Sequence, residues 1–565
     1  MLKNNYWLWL LVLLFIATRF FGLDQLYYQD EYRWVSQVYT AEFGEVDSPH
    51  PPVMQSLLLL GGKLVGYNNL RVVPFIFGVL NLVLIYIVSL KLTSSNGSWQ
   101  AGNKKIAYIA SGLYIINVYS LIASLMLDID GTVLPFLVLL AYYFYLKVFK
   151  DGQSKFILPL VLVMMVGFFT KLSYALFAGA LAVEYLWALY DKGKLKYKIK
   201  RIVFLLGMSC IFVVVFYVLY GKTDPRFAEY VTGFKYFNFA SRAYFELFLR
   251  MFKFFIWLSP LLFLPMVYGL FRKDFFTHAP DPAMAGLVRD FAKYRLWYVY
   301  SLFNFLFYLV IFDFARLPIE RYFMFIIAPA AIVSGHIIYS LFSGFSKKHF
   351  FLSILGFVVL LAFTLLVAYD VVPLNPKEAY VQKVKNLDFN FLIPMTGGSG
   401  PIGFYVSAQF VLWVWVAGFF WLLFNKKKIA IAFFIVFGVG YNVLLSSENL
   451  AGAFYGSVND ITKKSVEYVV NSKEVGNSSV VTYYDAGVYY LKIADKYLGR
   501  FYTAPSRDYS SRLTSHRGHY MIVDFPAIDK NSLYWKLISR CELAQKFTDK
   551  YVGAYIFDCR SLPSN

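Results

Sequence analysis

Asp30 and Glu31 stand side by side just beyond an apolar run from Tyr6 to Leu23. Two adjacent carboxylates at such a rim repel and raise one pKa unless a cation or donor lies close, and a carboxylate held there can take the proton of an attacking hydroxyl. Further on, "DSPHPPV" holds His50 before a Pro-Pro pair. The prolines fix the backbone, remove amide donors and keep the imidazole on an extended stretch from which it can point into a cavity. "MLDIDG" carries Asp128 and Asp130, a triplet that is weak evidence alone. Lys171 in "FFTKLSYALF" can bind phosphate as a point charge or simply snorkel to water. "DFARLPIERY" supplies Asp313, Arg316, Glu320, Arg321 and Tyr322, the last two fitting either a bidentate phosphate clamp with a hydroxyl donor or an interfacial anchor.

The elements that must position these groups are set by composition. Over 565 residues, 59% are hydrophobic, 20% aromatic and 16% charged, which is too apolar for a soluble chain of this size and reads as a membrane protein. The formal charge of +20, from 54 Lys and Arg against 34 Asp and Glu, would suggest nucleic acid in a soluble protein. Here the surplus sits in short loops between apolar runs, so no nucleic-acid partner is expected. The first apolar run lacks a small-x-small cleavage pattern and reads as an uncleaved span.

A span needs about 20 apolar residues to cross roughly 30 Å of hydrocarbon. That predicts thirteen spans near 6–23, 70–92, 106–123, 131–149, 156–170, 172–190, 202–220, 253–271, 296–312, 322–342, 351–370, 404–424 and 429–446. Alternate loops hold the basic residues, among them Lys104 and Lys105, then Lys147, Lys150 and Lys155, and later Lys347 and Lys348; these loops are expected inside. The loops with Asp30, His50, Asp128, Asp130, Lys171 and Arg321 then share the outer side, where ionisable groups of both signs near hydrocarbon are a functional hypothesis by default.

Residues 447–565 change character. Strand-like "SSVVTYYD", "RFYTA", "HYMIVDF" and "GAYIFD" are separated by helix-like "VYYLKIADKYL" and "SLYWKLISRCELAQKF". The expected fold class is therefore an α-helical polytopic membrane protein, residues 1–446, with a small C-terminal extracytoplasmic α/β domain at 447–565. Cys541 and Cys559 form a disulfide if that end meets an oxidising space, and otherwise remain free thiols.

The order of these features resembles the GT-C superfamily of polyprenyl-phosphate-dependent glycosyltransferases. The likeness rests on Asp-Glu after the first span, the Pro-Pro motif, "LRVVPFIFGVLNLVLIYIVSLKL" with Arg71, the acidic second outer loop, "FFTKLSYALF", "ERYFMFIIAP" and the terminal α/β domain. Within that superfamily it is similar to the protein O-mannosyltransferases and the lipid A aminoarabinose transferases. The resemblance implies Asp30 as catalytic base with Glu31 beside it, His50 near the donor phosphate, and Asp128 or Asp130 as the second-loop acid. It also implies Arg321 and Tyr322 at the opening of a late span. The long β-trefoil insertion of the protein mannosyltransferases is missing, which puts a protein acceptor in doubt.

A sugar on a polyprenyl phosphate leaves as a stable anion, so cations such as His50, Lys171 and Arg321 suffice to receive it. The hydroxyl acceptor needs one base, and a single displacement inverts the anomeric centre. Asp128 and Asp130 would orient sugar or acceptor. No cofactor and no metal are expected, although carboxylates of this kind can bind a divalent cation. The expected partners are the polyprenyl-phosphate-linked sugar, the acceptor and the bilayer. The expected site is a prokaryotic plasma membrane, with the N-terminus cytoplasmic. A lipid-linked-sugar flippase or transporter is the competing class, but such proteins favour related halves and charges within broken spans, whereas here the charged groups gather at one face.

Overall fold

The structure is a computed structural model that describes residues 5–27, 31, 34–38, 52–93, 101–191, 214, 217–218, 221, 244–271, 293–311, 320–341, 346–373, 378–395, 403–483, 486–494, 500–503 and 517–561. It is mostly helical, and the chain divides into two compact units. The first comprises Met1–Phe20 and Trp34–Ser343, and the second Phe21–Arg33 and Gly344–Asn565.

The first unit contains α1 (Tyr6–Phe20), α2 (Pro52–Val65), α3 (Val72–Thr93), α4 (Ala101–Ile116), α5 (Val118–Leu125), α6 (Leu134–Tyr145), α7 (Ile157–Thr170), α8 (Tyr174–Asp191), α9 (Tyr244–Phe271), α10 (Arg295–Leu306) and α11 (Ile327–Leu341). α4 packs on α3 and α11. Hydrophobicity gives little drive between helices in lipid, so close approach at small residues holds them together. A Cβ on Gly335 of α11 would lie 2.7 Å from the Ala110 side chain of α4.

Two breaks answer each other in this unit. α4 and α5 meet at a bend of 67°, where Asn117 caps α5 by accepting from the Ser120 amide at 3.1 Å. α9 is interrupted at Ser259, φ 66°, just before Pro260. The Asn117 amide donates to the Leu258 carbonyl at 3.1 Å. One side chain therefore satisfies backbone groups at both breaks, which hydrocarbon would otherwise leave unpaired at a cost of several kcal/mol each, as an order of magnitude.

Among its described residues the second unit has three apolar helices, α12 (Lys347–Leu366), α14 (Ala408–Leu423) and α15 (Lys428–Ala451), and two sheets. In the smaller sheet β1 (Asp370–Val371) runs parallel to β2 (Phe391–Met395), which pairs antiparallel with β3 (Phe404–Ser407); α13 (Glu378–Lys385) lies between β1 and β2 in sequence. The larger sheet has the order β5-β4-β6-β8-β7, with β4 (Val480–Thr482), β5 (Phe501–Thr503), β6 (His519–Val523), β7 (Glu542–Asp549) and β8 (Val552–Asp558). α16 (Val458–Asn471), α17 (Val488–Ala494) and α18 (Leu533–Ile538) accompany it. Met521, Val523, Ala554 and Ile556 face one core and Tyr520, Ile522 and Phe557 the other, as the alternation of strands requires. Cys541 and Cys559 are disulfide-bonded.

Segment Phe21–Arg33 is tied into this second unit. The Gln25 amide donates to the Asn449 carbonyl at 2.9 Å, the Leu26 amide to Asn459 Oδ1 at 3.0 Å, and Asp24 pairs with Lys463 at 2.7 Å.

Among the described residues six helices are long and apolar enough to cross a membrane, or seven if the bent α4–α5 pair is one span. Six more apolar helices are shorter, including Tyr6–Phe20 and Ala408–Leu423. The expected span at 202–220 lies largely outside the described residues; the others each have a helix at their place. Three expectations are corrected. The span at 404–424 begins as strand β3, because Phe404, Tyr405 and Val406 pair with β2 before Ser407 caps α14. The helix expected through "CELAQKF" is β7, whose partner β8 follows a tight turn with Lys550 at φ 48°. α2 occupies what reads as an outer loop: its 14 residues are too few to cross, and Gly61 and Gly62 are buried.

Candidate active site

The site grows out of α5. After Leu125 the chain extends through Met126 and Asp128, whose Oδ1 accepts from the Asp130 amide at 3.0 Å. A wide turn over Ile129–Val133 then leads into α6. That turn runs so close to α5 that a Cβ on Gly131 would sit 2.6 Å from the Ala123 carbonyl oxygen. Asn81 of α3 donates to the Thr132 carbonyl at 2.9 Å and fixes the far side of the turn.

Each acid meets its own cation. Lys171 ends α7, in extended conformation and with only two residues between it and the start of α8, as the hairpin reading requires. Its Nζ lies 2.5 Å from Asp130 Oδ2. Arg321 stands at the head of the 3₁₀ run that leads into α11, with Nη1 2.5 Å from Asp128 Oδ2. Both carboxylates are buried, at 4% and 5% exposure. Buried charges persist only when paired, so this alternation of signs is what holds the loop.

Tyr322 joins the two pairs. Its ring lies 4.9 Å from Lys171 Nζ and 5.1 Å from Arg321 Cζ, both within cation–π range, and it stacks on Tyr308 at 5.4 Å. The close return of α8 over α7 is possible because residue 167 is glycine: a Cβ there would be 2.4 Å from the Tyr174 ring.

Asp128, Asp130, Lys171, Arg321 and Tyr322 therefore come together. Asp30 and His50 lie outside the described residues. Glu31 is fully buried and belongs to the second unit. Two supporting residues carried no role in the sequence reading. Arg19 of α1, fully buried, donates to Ser124 Oγ at 3.3 Å and Ser120 Oγ at 3.4 Å. Arg71, just before α3 and also fully buried, donates to the Leu125 carbonyl at the end of α5. Arginines at hydrocarbon depth are expensive; an arginine in the last turn of an apolar run was the available signal.

No protein-family model matches the chain, and no curated protein is similar to it by sequence. Solved structures similar over nearly its whole length include two of one protein. ArnT from Cupriavidus metallidurans in the apo state shares 15% identity, covers 99% of each chain and gives a TM-score of 0.53. The same protein bound to undecaprenyl phosphate shares 14%, covers 98% of each chain and gives 0.50. At this identity the likeness establishes the fold alone: the chain has the fold of ArnT, a polytopic helical membrane part with small sheets towards the C-terminus.

Proposed function

We propose that the chain is an integral-membrane inverting glycosyltransferase that moves a sugar from a polyprenyl-phosphate donor to a hydroxyl acceptor. The observation that carries this reading is the coincidence of the ArnT fold over 99% of both chains with two acid–cation pairs gathered around Tyr322. The ArnT structure that holds undecaprenyl phosphate supports a donor of that class. Residues 1–446 form the catalytic membrane part in this reading and 447–565 an extracytoplasmic domain. A disulfide in the latter suits an oxidising compartment, outside a prokaryotic plasma membrane with the N-terminus inside.

In the proposed reaction the acceptor oxygen attacks the anomeric carbon and its proton passes to Asp30. The carbon–oxygen bond to phosphate breaks, and the departing anion is met by His50, Lys171 and Arg321, with the Tyr322 hydroxyl as a further donor. Glu31 steadies the base. Asp128 and Asp130 hold the two cations in place and, through them, orient donor and acceptor. No metal is assigned, because both loop carboxylates already face cations.

Asp30→Asn keeps the shape and removes the base. In purified protein supplied with a polyprenyl-phosphate sugar, transfer is expected to fall about 10²- to 10⁴-fold. Undiminished transfer would remove Asp30 from the mechanism.

A further inference from the structure

The face that α13 turns away from its sheet has no part in this reaction. Tyr380 anchors the helix inward: its hydroxyl donates to the Val372 carbonyl at 2.6 Å and its ring meets Phe391 edge-on at 5.6 Å. Val381, Val384 and Leu387 point away from that anchor and are exposed at 43%, 47% and 78%. Their spacing sets them along one flank of the helix, while Gln382 and Asn386 are exposed on the other.

Leu387 closes α13 in the left-handed conformation, φ 56°. Its amide donates to the Val384 carbonyl at 3.1 Å and the Asp388 amide to the Lys383 carbonyl at 2.9 Å. Glycine usually fills that position in such a cap, because a Cβ there is strained. Single exposed leucines need no explanation. A leucine that carries strain, stays exposed and lines up with two exposed valines does, because the folded chain gives it little burial in return.

The place of the helix supplies the occupant. Lys383 Nζ lies 2.7 Å from both Asp370 and Asp388, which ties the C-terminal end of α13 to β1. Asp370 follows Leu366, the last residue of the apolar α12, by four residues, a reach of no more than about 14 Å. At the far side of the same sheet Ser407 ends β3 and caps α14 directly. Both helices have their lysines, Lys347 and Lys348 or Lys426 and Lys427, at the opposite end, so in the orientation proposed above α13 stands outside. An apolar helix flank at a bilayer surface sinks about 5–10 Å into the boundary between headgroups and acyl chains.

We propose that α13 lies in the interface of the outer leaflet, with Val381, Val384 and Leu387 among the acyl chains. This contact depends on α12 and α14 spanning the bilayer and not on the transfer chemistry. Cys541 and Cys559 are disulfide-bonded, so Cys210→Ser leaves an introduced cysteine as the free thiol. In that background the full-length protein, in phosphatidylcholine nanodiscs, would carry a nitroxide at Val384→Cys, Leu387→Cys or Gln382→Cys. Oxygen, which concentrates in the bilayer, is expected to relax the first two labels several-fold more than a water-soluble nickel chelate does, with the preference reversed at Gln382→Cys. Equal ratios at the three positions, or a preference for nickel at Val384→Cys and Leu387→Cys, would overturn the contact. Weak relaxation by both reagents at those two positions would assign the flank to a protein partner and overturn it as well. In the unsubstituted protein, phosphatidylcholine with a photoactivatable diazirine in its acyl chain should crosslink to residues 384–387; labelling of α12 without that stretch would likewise overturn it.

Discussion

The Asp130–Lys171 pair allows a sharp test, because both partners are largely withdrawn from water, with side-chain exposures of 6% and 16%, and stand 2.5 Å apart. Lys171→Met leaves a buried carboxylate without its nearest cation. Breaking a buried pair this way costs about 3–5 kcal/mol, and the value should fall near the lower end because Arg321 still exerts an attraction on Asp130. Asp130→Asn strands the ammonium instead, at lower cost since Lys171 is the more exposed partner. The double variant removes both charges and is expected to regain most of the loss, with a coupling of about 2–3 kcal/mol. Thermal unfolding of the four proteins in one detergent gives the cycle, and transfer kinetics of Lys171→Met give a second readout. On the proposed function the donor KM rises more than the acceptor KM. If the two single losses simply added in the double variant, the pair would hold no interaction energy, and the account of how the acidic loop is kept in place would fail.

Two other outcomes are expected. Gly131→Ala places a methyl 2.6 Å from the backbone oxygen of Ala123, so the turn must shift relative to α5; transfer should drop at least tenfold, since misplacement by about 1 Å can cost as much as 10²-fold, and a variant of wild-type activity would show that the turn does not position the reaction. His519, buried in β6 with Nδ1 2.7 Å from Ser478 Oγ, has its pKa lowered from 6.5 by burial. The unfolded chain therefore takes up a proton that the native state resists, and stability should decline as pH falls below about 6.5. Asp558, held at about 2 chiefly by its hydrogen bonds to Arg560, keeps its contribution until far more acidic pH, and Asp524, raised by burial, contributes equally to wild type and variant, so the difference between the two in the window from about pH 6.5 to about 5 reports His519. In unfolding curves of the full chain across that window, His519→Asn should flatten the slope; an unaltered slope would assign the effect elsewhere.

What could be read in the sequence follows from which signals are local. Apolar length located the spans, and the alternation in "HYMIVDF" and "GAYIFD" located β6 and β8. "CELAQKF" misled because its residues suit a helix and its strand state depends on pairing with β8 across a turn. The same distinction holds in the site. Asp128, Asp130, Lys171, Arg321 and Tyr322 were visible as charged or hydroxyl groups at the ends of apolar runs, where their cost demands a reason. Which acid faces which cation was not visible, because the partners are 41 and 193 residues apart. The supporting roles of Arg19 and Arg71 escaped for a related reason: their partners are serine hydroxyls and a carbonyl, groups without charge that leave no pattern in a single sequence.

The balance of charge in the cluster also bears on how the proposed reaction would begin. Asp128 with Arg321 and Asp130 with Lys171 sum to zero, so the cluster without donor already satisfies its own electrostatics. An arriving phosphate finds each cation engaged and must share it with a carboxylate, which weakens its hold in the ground state. As the bond to the sugar breaks, charge builds on the phosphate oxygen and the same cations interact with it more strongly. An arrangement that binds the donor loosely and the leaving group tightly is what acceleration requires. On the proposed function the carboxylates are then as much a part of catalysis as the cations they hold.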